Sequence, residues 1–128
     1  MGCWAHARRK FFEIAALADK SGQRVLAHEA VERIGELFAI ERAASEAGDS
    51  PPERGQRRQR EARPILDAFR AWCEERLREF LPKSPTALAI GYTLKHWAAL
   101  TRYLDDGAIA IDNNAAERAL REIAMGCS

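Results

Sequence analysis

Residues 107–123 read GAIAIDNNAAERALREI, and the fold turns on how that stretch is taken. Ile109 and Ile111 alternate with smaller residues as in a short strand, and the alternation stops at Asp112-Asn113-Asn114. A helix-forming segment follows, carrying Glu117, Arg118 and Arg121. Asn114 can cap that helix, with Glu117 completing a capping box and pairing with Arg121 one turn on. The same layout can also hold metal, because hard divalent cations take oxygen ligands. Glu117 is then the metal-binding carboxylate and Asp112 a second candidate. Taken alone, these residues favour the cap. The strand raises a separate question, because its backbone donors and acceptors need a partner strand. Nothing else in the chain reads as one. Either 109–111 is an extended connector, or its sheet lies on other sequence.

The 128 residues suffice for one domain with a real core, and 47% hydrophobic with 30% charged residues is a globular composition. A net charge of +1 gives no global basic field, so nucleic-acid binding must rest on local patches. No apolar run approaches the roughly 18 to 20 residues of a membrane span. The opening MGCWAHARRKFF lacks an export signal, so a cytoplasmic protein is expected. Cys3, Cys73 and Cys127 are odd in number and form no CxxC pair, which points to free thiols.

Upstream, four amphipathic helices are expected. Cys3 to about Asp19 buries Trp4, Ala7, Phe11, Ala15 and Ala18, and ends at Ser21-Gly22. Gln23 to about Ala47 buries Leu26, Ala30, Val31, Ile34, Leu37, Phe38 and Ile40, leaving Glu41 and Arg42 on the wet side. Glu53 to Leu81 begins polar, with a kink or break at Pro64, and then repeats Ile65, Leu66, Phe69, Trp72 and Cys73 at helical spacing. Ser84-Pro85 starts a fourth helix running to about Leu104, with Leu88, Tyr92, Trp97 and Leu100 available for packing.

Two further groups could carry chemistry. Cys3 and His6 lie three apart, so they share one helix face and could touch one metal or one buried partner. Zinc takes four ligands, however, and no second pair has ligand spacing, so a structural role is the better reading. Arg8, Arg9 and Lys10, the Arg54 to Arg63 run with Arg57 and Arg58, and Arg118 with Arg121 are candidates for phosphate. A guanidinium fork donates two parallel hydrogen bonds to it. Arginines interrupted by Glu53 and Glu61 are also what a solvated helix face looks like.

CWAHARRKFFE at 3–13, LFAIE at 37–41, RPILDAFRAW at 63–72, LPKSPTALAIGYTLKHWAALTRYLDDG at 81–107 and IDNNAAERALR at 111–121 together resemble the insertion-sequence-66 family of transposases. These are bacterial mobile-element enzymes of the DDE type. The resemblance covers nearly the whole chain, most specifically at CWAHARRKF and IDNNAAERA. It implies an RNase H-like core in which two Asp and one Glu hold Mg2+ or Mn2+, with an all-helical insertion between the second Asp and the Glu. Residues 1–12 would follow the second Asp, 13–106 would form the insertion, and 107–128 would return the chain to the catalytic sheet. Glu117 would be the third acidic residue, Arg118 and Arg121 could meet DNA, Asn113 and Asn114 would set the helix start, and Cys3 and His6 would be structural.

The expected fold is therefore mainly α: four helices of the insertion, then a short strand and a terminal helix from an incomplete core. The expected function is that of a fragment of a transposase acting on DNA ends by two-metal phosphoryl transfer. Alone it is expected to be inactive, because both aspartates are missing. Two alternatives stand beside this. One is a non-enzymatic helical module that binds DNA, itself or full-length transposase. The other is a decayed remnant without function.

Overall fold

The computed structural model describes residues 3–112. They are mainly helical: α1 Trp4–Asp19, α2 Leu26–Ala47, α3 Pro51–Arg57, a π-helical turn Arg58–Ala62, α4 Arg63–Leu77, α5 Pro85–Lys95, α6 Trp97–Thr101, and a 3-10 turn Arg102–Asp105. No helix among the described residues is long and apolar enough to cross a membrane.

The helix ends follow local chemistry. Ser50 Oγ accepts from the Glu53 N–H at 3.3 Å while Glu53 Oε1 accepts from the Ser50 N–H at 2.8 Å, a capping box with Pro51 next in line. Ser84 caps α5 in the same way through the Ala87 N–H at 3.2 Å. Val25 has no side-chain acceptor for the start of α2. The His28 ring substitutes, with Nδ1 taking the Val25 N–H at 3.0 Å and Nε2 lying 2.7 Å from Asp19 Oδ1. Gly48 closes α2 at φ 73°, a left-handed conformation that costs glycine little.

One core joins α1, α2, α4, α5 and α6. Trp4, Phe11, Ile34, Leu37, Leu66, Phe69, Ile90 and Leu100 are buried in a single cluster that also takes Tyr103, Leu104 and Ile111. Trp4 stands edge-on to Trp97 at 5.8 Å and 6.1 Å from Phe69, and its Nε1 donates to the Leu100 carbonyl at 2.8 Å. Leu88, expected to pack, is exposed. Cys73 is free and buried, and burial pushes its thiol up to about 12. Cys3 is disulfide-bonded, which corrects the expectation of a free thiol there.

The core also holds an ion pair. Arg58 has no exposed surface, and its Nε and Nη2 donate to Glu41 Oε2 and Oε1 at 2.9 and 2.7 Å. Its Nη1 donates to the carbonyls of Tyr103 at 2.7 Å and Asp106 at 3.0 Å. The guanidinium also lies 4.7 Å from the Tyr103 ring centroid. Arg54 reaches the same Glu41 oxygen at 3.4 Å. A buried charge is tolerated only when it is paired and hydrogen-bonded, and this one has both.

Three expectations need correction. Residues 109–111 are not a strand, and no sheet or RNase H-like core is seen among the described residues. With no partner strand to supply a ladder, Asp106 takes the free donors instead. Its side chain accepts from the Ala108 N–H at 2.9 Å and its carbonyl from the Ile109 N–H at 3.0 Å, which bends the chain into a turn. At Pro64 the helical run does not break. It widens just before the ring, where the Arg63 N–H reaches the Arg58 carbonyl five residues back. The fourth helix is interrupted at His96, whose φ and ψ of −98° and 16° leave the helical region. Thr93 Oγ1 bonds back to the Ala89 carbonyl one turn earlier, an interaction that loosens the helical ladder.

Arg58→Met is expected to destabilise the chain by about 3–5 kcal/mol in urea denaturation, because Glu41 is left charged and buried. Adding Glu41→Leu should recover part of that loss; a double variant no more stable than the single one would refute the pairing. Trp4→Phe keeps most of the ring packing but leaves the Leu100 carbonyl without its donor. A loss of about 1–3 kcal/mol is expected from the same measurement.

Candidate functional site at the meeting of the first helix and the connector

Residues 103–112 lead from the 3-10 turn towards the DNN motif, and their path is fixed from three directions. Arg58 takes the Tyr103 and Asp106 carbonyls, and Gln59 Nε2 donates to the Leu104 carbonyl at 2.9 Å. Carbonyls left over at the end of a helical turn are thereby satisfied by side chains of the π-helical turn. Gly107 lies directly against α3, where an added Cβ would stand 1.8 Å from the Pro51 carbonyl oxygen. Only glycine fits there. Beyond it, Ile111 is buried in the cluster that also holds Trp4.

The start of α1 packs against α5 and α6, which lead into this connector. Cys3 is buried at the N-cap in an extended conformation, and Trp4 bonds to Leu100 as described. The His6 ring is half-buried, 5.3 Å from the Tyr92 ring, which in turn lies 4.4 Å from His96. Lys10 Nζ sits over the Tyr92 ring at 4.7 Å. Burial, followed by positive neighbours that include Lys95, His6 and Lys10, holds His96 below the usual histidine range. Two stretches almost a hundred residues apart in sequence are thus packed as one unit.

The expected site residues are distributed as follows. Asp112 is exposed at the end of the described residues. Glu117, Arg118, Arg121, Asn113 and Asn114 lie outside them. No group of three His, Cys, Asp or Glu side chains that could hold a metal occurs among the described residues, so Asp112 stands alone there and Cys3 with His6 is not completed into a metal site. Arg8 and Arg9 are exposed on α1. Arg57 is tied to Asp49 at 2.7 and 3.3 Å and lies 3.6 Å from Glu61. The Arg57 hydrogen bond is the main cause holding the Asp49 carboxyl below its ordinary range. Arg58 is the clear departure from expectation. A guanidinium with no exposed surface and its donors turned to protein acceptors cannot meet a phosphate in this conformation.

The expectation of Glu41 on the wet side of α2 is also corrected: it is buried with Arg58, a pairing that reading each by charge alone hides. Arg58, Ala62, Leu66, Phe69 and Cys73 step by four, four, three and four, a single buried stripe. Ala30, Ile34, Leu37, Glu41 and Ala44 do the same on α2. An arginine at the head of one apolar stripe and a glutamate within the other are the signature of a buried ion pair.

The family model described as "Transposase IS66 family" matches residues 1–127. Curated relatives come from Sinorhizobium fredii (strain NBRC 101917 / NGR234). "Uncharacterized protein y4hP" is 39% identical over 132 residues, covering 97% of this chain and 24% of that protein. "Uncharacterized protein y4jD" is 35% identical over 123 residues, covering 96% and 23%, and "Uncharacterized protein y4qI" is 38% identical over 120 residues, covering 94% and 21%. The chain therefore spans about a quarter of the length of these relatives. No solved structure matches. With the family model spanning almost every residue, the chain belongs to the IS66 transposase family.

Proposed function

We propose that this chain is the part of a DDE-type DNA transposase that carries the third catalytic carboxylate, Glu117, and the helical unit that positions it. The observation that carries this reading is the packing of the CWAH helix against α6, which leads into the IDNNAAER segment, through the Trp4–Leu100 hydrogen bond, with Ile111 buried in the same core cluster as Trp4. In the complete protein the segments flanking two acidic residues would be brought side by side by this unit.

The reaction proposed is phosphoryl transfer at an element end. An oxygen of water, or later of a DNA 3′-hydroxyl, bonds to phosphorus as the bond to the leaving oxygen breaks. That oxygen departs with a proton. Glu117 would offer carboxylate oxygens to Mg2+ or Mn2+, whose chemistry in the complete enzyme is to activate the attacking hydroxyl and neutralise the leaving oxygen. Arg118 and Arg121, three apart in sequence, would meet backbone phosphate. Among the residues of this chain, Asp112 is close in sequence to Glu117, and the remaining carboxylates would come from elsewhere in the longer protein.

The purified 128-residue chain should therefore not nick supercoiled DNA bearing element ends, with or without Mg2+. A full-length relative should do so, and Glu→Gln at the position matching Glu117 should reduce cleavage to background while leaving DNA binding in place. Mg2+-dependent nicking by the isolated chain, abolished by Glu117→Gln, would overturn the assignment of an incomplete centre. Full cleavage by the Glu→Gln full-length protein would overturn the role of Glu117.

A further inference from the structure

Ala5, Arg8, Arg9 and Phe12 occupy one face of α1 at steps of three, one and three, and with Phe38 of α2 they line a notch of about 260 Å3. Phe12 is 56% exposed, an unusual fraction for so large an apolar ring. The Arg8 guanidinium lies 5.5 Å from the Phe38 ring centroid, so that ring forms the floor and the charge forms the rim. No acidic side chain lines the notch, and neither Arg8 nor Arg9 is ion-paired among the described residues. By contrast, Arg24, Arg33, Arg57, Arg60 and Arg76 have carboxylate partners, whereas Arg42, Arg78 and Arg102, like Arg8 and Arg9, have none among the described residues. Arg42, exposed one turn beyond Phe38, adds a further cation to that side of α2.

We infer that this notch binds an unpaired base of single-stranded DNA, stacked on Phe12 and flanked by phosphates held by Arg8 and Arg9. Charge complementarity selects the occupant. Two unneutralised guanidiniums beside an exposed ring fit a ligand that brings anions and a flat π face together, and an apolar protein segment brings only one of these. The volume takes one ring rather than a duplex edge, and stacking on an aromatic side chain is available to any base once it has left its pair. The inference rests on the transposase reading for its choice of DNA as the nucleic acid. It differs from that reading in what it places on this face, namely a strand rather than a duplex.

The test uses the full 128-residue chain and fluorescence anisotropy with a labelled oligothymidine and a blunt duplex of equal length. Tighter binding of the single strand is expected. Phe12→Ala should weaken it roughly 5- to 150-fold, the span of one base–aromatic stack, and Phe12→Trp should restore it. Arg8→Gln with Arg9→Gln should lower the salt dependence by roughly 0.7 in log–log slope for each phosphate no longer neutralised. Circular dichroism should be unchanged, because these side chains are exposed. Equal affinity for duplex, no binding at low salt, or an unaltered Phe12→Ala variant would each overturn the proposal. So would a self-associated chain that Phe12→Ala converts to a monomer, which would make this face an interface between copies. Cleavage by the full-length protein is read separately, so failure at the notch leaves Glu117 standing. Failure at Glu117 leaves the binding of the strand measurable on this chain.

Discussion

The structure depends on the neutralisation of one buried guanidinium. Arg58 brings four carriers of negative charge or partial charge to a single point: two carboxylate oxygens of Glu41 and the carbonyls of Tyr103 and Asp106. Through it α2, the π-helical turn and the connector share one set of hydrogen bonds. A hydrophobic triad of the same volume could fill this space at no loss of stability, since buried ion pairs seldom outperform well-packed apolar groups. Apolar groups could not hold the two carbonyls, however. The pair is therefore best understood as a directional fastening, which fixes where the connector leaves the helical body.

How much of this was legible in the sequence differs from element to element. The helices of α1, α2 and α4 were, because Trp4, Phe11, Ile34, Leu37, Leu66 and Phe69 carry a strong helical period and the caps at Ser50 and Ser84 are local. The supposed strand at Ile109 and Ile111 was not, since alternation over three residues records only that two side chains point inward. Ile111 is indeed buried, but it follows a turn that Asp106 closes at residues 106–109. The break at His96 leaves no mark on the sequence. The tertiary bond of Trp4 to Leu100 and the back-bonding of Thr93 compete there with a helical propensity that continues unbroken. At the candidate site, periodicity placed Arg8 and Arg9 on the surface, and the same period, followed through charged residues as well as apolar ones, would have placed Arg58 inside. The constellation at Asp112 to Arg121 owes its reading to family resemblance rather than to geometry.

Membership of the IS66 family, together with a length near a quarter of its curated relatives, gives the exposed apolar side chains a context. Leu17 and Leu88 stand 65% and 60% exposed beside a shallow groove between α1 and α5. Single exposed leucines are ordinary on any protein surface. Two that line one groove are the kind of surface that a larger protein covers as its parts come together. The Phe12 notch differs from this groove in its charge, with two arginines at its rim where the groove carries Lys10 and Glu13.

The π-helical turn at Arg58–Ala62 has a further consequence, for which changes the segment can accept. A turn of this kind holds one residue more than an α-helix needs, and each helical residue advances about 100° around the axis. The widened turn absorbs that residue, so Arg58 shares the buried side with Leu66 although they stand eight positions apart, a spacing that would set them about 80° apart on an uninterrupted α-helix. Deleting one residue between them would return the turn to α-helical bonding and keep the two in line at a spacing of seven. Inserting one would instead turn Arg58 away and leave Glu41 in the core without its partner. The segment is thus a phase adjuster between a polar helix and an apolar one, and it should accept the loss of a residue far more readily than the gain of one.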